Sequence, residues 1–210
     1  MDGKEIAMRK KLIIITLAAV LLLGAATVVK VKNPLNFGIK PLIADVGQEQ
    51  AGRRLEVSFT CDNLLMVASN QYAIWIEDMD GNYVDTLYVT RYTAREGYRR
   101  RPQSIREWVA AASPHDMRSS EIDAITGATP KPGNYVVYWD FTDGKGRPVN
   151  DSRYRYFFEG TLYMDDDVLY TGIINVGDIP WEEYPTPEYT IPDSEYKAML
   201  SNVRVAYYPD

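Results

Sequence analysis

Hydrophobic and polar positions alternate along several stretches of the chain. The run R-R-L-E-V-S-F-T-C at 53–61 sets Leu55, Val57, Phe59 and Cys61 on one face and Arg54, Glu56, Ser58 and Thr60 on the other. A period of two marks a strand with one buried face. A second strand is predicted over 71–77, with Tyr72, Ile74 and Ile76 facing one way. The turn Asp78-Met79-Asp80-Gly81-Asn82 then leads into a third strand over 83–90. Further strands are predicted over 134–139, 154–163, 168–176 and 202–208, and Asp165-Asp166-Asp167 joins the middle pair. Short strands separated by Gly/Asp turns predict an all-β chain, an Ig-like antiparallel β-sandwich.

The strand rhythm breaks over 91–133. Ser104 and Glu107 stand at capping-box spacing, which predicts a short helix over 104–112 with Trp108 and Val109 turned toward the domain. Arg99-Arg100-Arg101 reads as a solvated face. This stretch is therefore a helical insertion in the sandwich, and long insertions of this kind usually carry function.

The first thirty residues follow a different pattern. Lys4, Arg9, Lys10 and Lys11 precede 12–29, eighteen residues without a charge, and Lys30 and Lys32 close the run. As a helix that run spans roughly 27 Å, close to one bilayer core. The basic flank is heavier before the span, which predicts a cytoplasmic N-terminus and an extracytoplasmic domain. Gly24-Ala25-Ala26 also has the small residues of a signal-peptidase site, but the apolar run is long for a cleaved signal. The expected organisation is a signal anchor or signal peptide at 1–30 and a linker at 31–52 containing Pro34 and Pro41. The sandwich follows at 53–176 with its insertion at 91–133. A Pro/Glu-rich tail at 177–210 ends in a strand. The expected location is the cell membrane, with one N-terminal transmembrane helix and the domain outside.

Composition narrows the chemistry. A net charge of −6 argues against a nucleic-acid partner. With Cys61 as the single cysteine, no intrachain disulfide can form, and its place in an apolar alternation marks it as a small core residue. His115 is the single histidine, so a zinc site or a His-dependent triad would rest on it alone.

Within the insertion stands Asp123-Ala124-Ile125-Thr126-Gly127-Ala128-Thr129, or D-x-x-T-G-A-T. It resembles the site at which bacterial flavin transferases attach FMN to extracytoplasmic electron carriers, where the final Thr takes the flavin. The resemblance implies covalent FMN on Thr129, with Asp123, Thr126, Gly127 and Ala128 shaping the site. It also implies a flavin transferase and a membrane redox protein as partners. The residue types suit that chemistry. A Thr hydroxyl is a weak nucleophile, so a separate enzyme must activate it, and its target must be exposed. Gly127 permits positive φ and close backbone approach. Ala128 adds no bulk. Asp123 can bond backbone N–H groups two residues on. Pro130 biases Thr129 toward extended geometry. Thr126, before the glycine, is expected to bond the turn backbone. Trp108, Tyr98 or Trp139 would supply aromatic cover. The familiar carriers have a different fold around the motif, and they commonly place a hydroxyl residue soon after the final Thr, where Pro130-Lys131-Pro132 follows here.

The run W-D-F-T-D-G-K-G-R-P-V at 139–149 resembles a hairpin of bacterial Ig-like domains. Asp140 and Asp143 within it read as turn residues rather than calcium ligands. From about 53 to 176, the N-Q-Y-A-I-W-I-E-D, L-Y-V-T-R-Y, T-G-A-T-P-K-P-G and W-D-x-x-D-x-x-G segments are similar to a bacterial predicted-periplasmic domain family of unknown function. That resemblance implies an extracytoplasmic Ig-like domain linked with flavin-transfer systems. The alternative function is a non-enzymatic Ig-like interaction module without cofactor, in which T-G-A-T is a plain turn. A hydrolase using His115 and Asp116 has no Ser or Cys nucleophile motif behind it. The sequence favours a redox carrier or a binding module over a catalyst. One expectation is directly testable: a reporter fused after Asp210 should be active only in its extracytoplasmic form, and activity of a cytoplasm-only reporter would exclude this topology.

Overall fold

The computed structural model describes residues 52–62 and 70–210. The expected anchor at 1–30 and all but the last residue of the linker at 31–52 lie outside the described residues. Among the described residues no helix is long and apolar enough to cross a membrane.

Two sheets face each other. The first comprises β1 (Arg54–Cys61), β5 (Gly133–Trp139), β8 (Trp181–Glu183) and β10 (Leu200–Tyr208), in the order β5-β1-β10-β8. The second comprises β2 (Gln71–Asp78), β3 (Tyr83–Thr90), β4 (Thr126–Gly127), β6 (Arg153–Tyr163), β7 (Asp166–Asn175) and β9 (Glu188–Tyr189), in the order β4-β3-β2-β6-β7-β9. Every pairing is antiparallel except β3 with β4. This is the all-β antiparallel sandwich with a helical insertion that the alternation predicts.

The period-two residues fill the space between the sheets. In β1, Leu55, Val57, Phe59 and Cys61 are all buried. In the second sheet Tyr88, Ile74, Phe158 and Tyr170 form one row across four strands. Aromatic rings lock the layers edge to face: Phe59 meets Phe158 at 4.7 Å and Trp139 meets Tyr154 at 5.2 Å between centroids. Such contacts add to area burial because the positive ring edge meets the negative face. Trp139 and Trp75 are both buried, but on opposite faces of the second sheet: Trp139 belongs to the sandwich core and Trp75 to a second cluster outside it.

That second cluster is what the insertion covers. The insertion has more helix than the sequence suggests. An irregular helical segment runs over Thr93–Gly97 into Tyr98–Arg100, followed by α1 (Arg106–Ala112) and α2 (Ser119–Ile125). Ala94, Ile105, Trp108, Ala112 and Ile122 pack with Ala73, Trp75 and Val89, and Phe157 stacks on Trp75 at 4.9 Å. The Trp108 indole N–H donates to Thr86 Oγ1 at 2.9 Å.

The expected capping box at Ser104 and Glu107 does not form. Ile105 occupies the cap in a left-handed conformation, and the buried Ser104 hydroxyl has no hydrogen-bond partner. The sheet supplies the cap instead. The N–H groups of Glu107 and Trp108 donate to the two carboxylate oxygens of Glu159 on β6, and the Ile105 N–H donates to Thr161 Oγ1. A tertiary carboxylate at a helix N-terminus satisfies the same orphan donors as a local side chain.

The chain after 176 is woven into both sheets. β8 extends the edge of the first sheet and β9 that of the second, so this segment crosses one open side of the sandwich. β10 then lies between β1 and β8, with Arg54 opposite Tyr208. The last strand is an interior member of the sheet, and the compact unit therefore extends well past residue 176.

Glu159 is 1% exposed, and burial pushes its carboxyl up to about 7 despite the two N–H donors, with Asp167 and Glu107 adding like charge. An acid raised in the folded state holds its proton more tightly there than in the unfolded chain. Its contribution is therefore most favourable below its ordinary value of 4.5 and declines as pH climbs toward 7. In thermal melts across that window, Glu159→Gln should flatten the decline seen in the wild type. Parallel curves for the two proteins would show that Glu159 titrates no differently on unfolding.

Candidate functional site

The D-x-x-T-G-A-T residues occupy three kinds of structure. Asp123 lies in the last turn of α2, Thr126 and Gly127 form β4, and Ala128 and Thr129 are exposed in the segment that follows. Pro130 is buried. The helix α2 was not foreseen in the sequence. Its start is stabilised by Glu121, whose Oε2 accepts the Arg118 N–H at 2.7 Å, three residues back.

Asp123 therefore does not shape a loop by bonding its own backbone. It pairs with Arg95 from the irregular helical segment, whose Nε lies 3.0 Å from Oδ1. Both side chains are about half exposed, which limits the strength of the pair. Gly127 does not have positive φ, since it sits in a strand, and the close approach it allows is to a ring of the same fold. A Cβ there would lie 2.5 Å from Cε2 of Tyr88, a ring held in the core. Thr126 does not bond the turn backbone. Its strand places the side chain in packed surroundings, and the buried Oγ1 has no hydrogen-bond partner.

The segment after β4 crosses from the edge of the second sheet to β5 at the edge of the first. Two tyrosines hold this strap. Tyr88 on β3 donates its hydroxyl to the carbonyl oxygen of Ala128 at 2.7 Å, and Tyr135 on β5 donates to that of Lys131, also at 2.7 Å. Thr129 stands between the two anchor points. Cys61 lies among these tyrosines, and burial pushes its thiol up to about 12, so it is a core residue and not a nucleophile. Burial likewise raises Tyr88 and Tyr135 above the ordinary phenol value, which keeps both protonated as donors.

An open cleft of about 410 Å³ borders α2 and is lined by residues including Arg95, Tyr98, Arg99, His115, Met117 and Ile122. Arg99 pairs with Glu96 at 3.6 Å, so the cleft's arginines are matched by carboxylates. His115 Nε2 lies 3.3 Å from Asp116 Oδ2, with both side chains more than half exposed. A catalytic triad needs a buried, orienting carboxylate, and this solvated pair lacks one. Of the three aromatic residues expected to cover a flavin, only Tyr98 borders an open space. Trp108 is sealed beneath α1, and Trp139 is sealed between the sheets. Asp140 and Asp143 are occupied in their turn, accepting from Thr142 and from Lys145 and Arg147. Among the described residues no cluster of three or more metal-ligating side chains occurs.

Tyr88, Tyr135 and Arg95 were missed in the sequence. The signal for the tyrosines was present in part: a core tyrosine must place its hydroxyl on some acceptor. Nothing local identifies which carbonyl that is.

No curated protein and no solved structure matches the chain. The family model described as "Predicted periplasmic protein (DUF2271)" matches residues 54–176, from the first residue of β1 to just past the end of β7. The match takes in the strap, both tyrosines and the whole insertion, and the chain belongs to this family of predicted periplasmic proteins.

Proposed function

We propose that this protein is a membrane-anchored extracytoplasmic electron-transfer protein that carries FMN covalently on Thr129. The observation that carries the reading is the presentation of the motif. Thr129 is exposed on a strap whose backbone is tethered on both sides of it. An acceptor hydroxyl that another enzyme must reach has to be displayed in this way.

Attachment joins Thr129 Oγ to the phosphorus of the FMN moiety of FAD, breaks the phosphoanhydride and releases AMP. The hydroxyl proton passes to the base of the transferase. Bound FMN would supply one- and two-electron redox chemistry, while this chain provides tether and display. Asp123, through Arg95, and Gly127, beneath Tyr88, fix where the strap leaves the helix and the sheet. Of Tyr98, Trp108 and Trp139, Tyr98 is the one that borders open space. The uncharged run at 12–29 supports the anchor, and a membrane redox protein would be the electron donor.

A second reading, an interaction module without cofactor, is favoured by one observation. Asp123 and Gly127 each have a partner within the fold, so part of the motif is accounted for by structure alone.

Coexpression with an active flavin transferase in the presence of FAD separates the two. Wild-type protein should gain an FMN-sized mass and in-gel flavin fluorescence. Thr129→Ala should lose both while melting within about 0.5 kcal/mol of wild type, since an exposed substitution usually costs no more. Thr126→Ser should keep the label. Unmodified wild-type protein would favour the interaction module, and a label that persists in Thr129→Ala would move the site.

A further inference from the structure

We propose that Tyr88 and Tyr135 are positioning residues that clamp the strap from the two sheets and so set the readiness of Thr129 for modification. This rests on the reading of Thr129 as the modified residue.

The geometry points to a clamp rather than to two incidental contacts. The donors come from different sheets: Tyr88 from β3 and Tyr135 from β5. Their hydroxyls bind the carbonyls of Ala128 and Lys131, leaving only Thr129 and Pro130 between the held residues. Pro130 is buried and its ring fixes one backbone angle. The Ala128 carbonyl belongs to the peptide that enters Thr129, so the first anchor acts one bond from that residue. Beneath it the Tyr88 ring fills the space left by Gly127, where a Cβ would lie 2.5 Å from the ring. Backbone and ring thus hold each other. Of the two residues between the anchors, Pro130 is buried and Thr129 is exposed.

A transferase acting on a disordered segment must order it in the transition state. A strap already held at both ends removes much of that entropic cost. Burial raises both phenols above their ordinary value, so both hydroxyls are protonated donors at neutral pH.

The test uses the full chain, a flavin transferase and FAD. Three substitutions are compared: Tyr88→Phe, Tyr135→Phe and Tyr154→Phe. Tyr154 is the control, because its hydroxyl makes the same kind of bond, to the Asn150 carbonyl at 2.7 Å, well away from the strap in sequence. Losing one such hydrogen bond should cost all three proteins similar stability. Labelling at Thr129 should slow by roughly 3- to 10-fold in the first two, the factor expected for one hydrogen bond, and not in the control. Amide exchange in the peptide spanning 126–134 should quicken in Tyr88→Phe and Tyr135→Phe and be unchanged in Tyr154→Phe. Wild-type labelling rates in both strap variants would overturn the clamp and leave the flavin reading standing. Equal slowing in Tyr154→Phe would reduce the effect to general stability and overturn it as well. No label on wild-type protein would overturn the flavin reading, and the positioning role with it.

Discussion

The second sheet must be covered on both faces, and most of the architecture follows from that. Six successive residues of β2, from Gln71 to Ile76, are buried, although an isolated sandwich would bury only alternate ones. The inner face is closed by the first sheet. The outer face carries Ala73, Trp75, Val89 and Phe157, and the insertion after β3 closes it. Glu159 and Thr161 hold that insertion down by binding the N-terminal amides of α1. The next strand, β5, belongs to the opposite sheet, so the chain must return across the open side of the sandwich. The strap bearing Thr129 is that return. Its position is a consequence of covering the second sheet, and its exposure follows from its running along an edge.

The same constraint explains what could be read from the sequence. Strands with one buried face, such as β1, announce themselves by strict alternation, and their observed limits lie within a residue or two of the expected ones. The second burial of β2 was not legible. Ala73 and Trp75 look like the outward half of an alternating strand until a helix is laid over them. The start of α1 was misplaced because its cap comes from Glu159, fifty-two residues beyond Glu107. The helix α2 spans seven residues, too short for a periodic signal, and β4 spans two. β10 was recognised as a strand, but nothing local says that Arg54 pairs with Tyr208. At the candidate site the motif itself was legible as letters. The jobs of Asp123 and Gly127 were not, because Arg95 and Tyr88 reach them through the tertiary fold.

Those jobs tie part of the motif to the fold itself. If every motif residue served the fold well, D-x-x-T-G-A-T would need no further account. Gly127 meets that standard, because any side chain would strike the Tyr88 ring. Asp123 meets it weakly. Its pair with Arg95 is half exposed, and such pairs contribute about 0–1 kcal/mol. Ala128 and Thr129 are exposed and bury nothing that a core requires.

Thr126 runs against the standard. Its Oγ1 is buried with no hydrogen-bond partner among the protein's own groups. Valine has nearly the same shape, suits a strand at least as well and carries no polar atom to desolvate. Packing accounts for the methyl group of Thr126 and not for its hydroxyl, whereas the exposure of Thr129 follows from the course of the strap along an edge. The structural account thus covers Gly127 fully and Asp123 in part. It leaves open why a hydroxyl, rather than any other small exposed side chain, stands at 129.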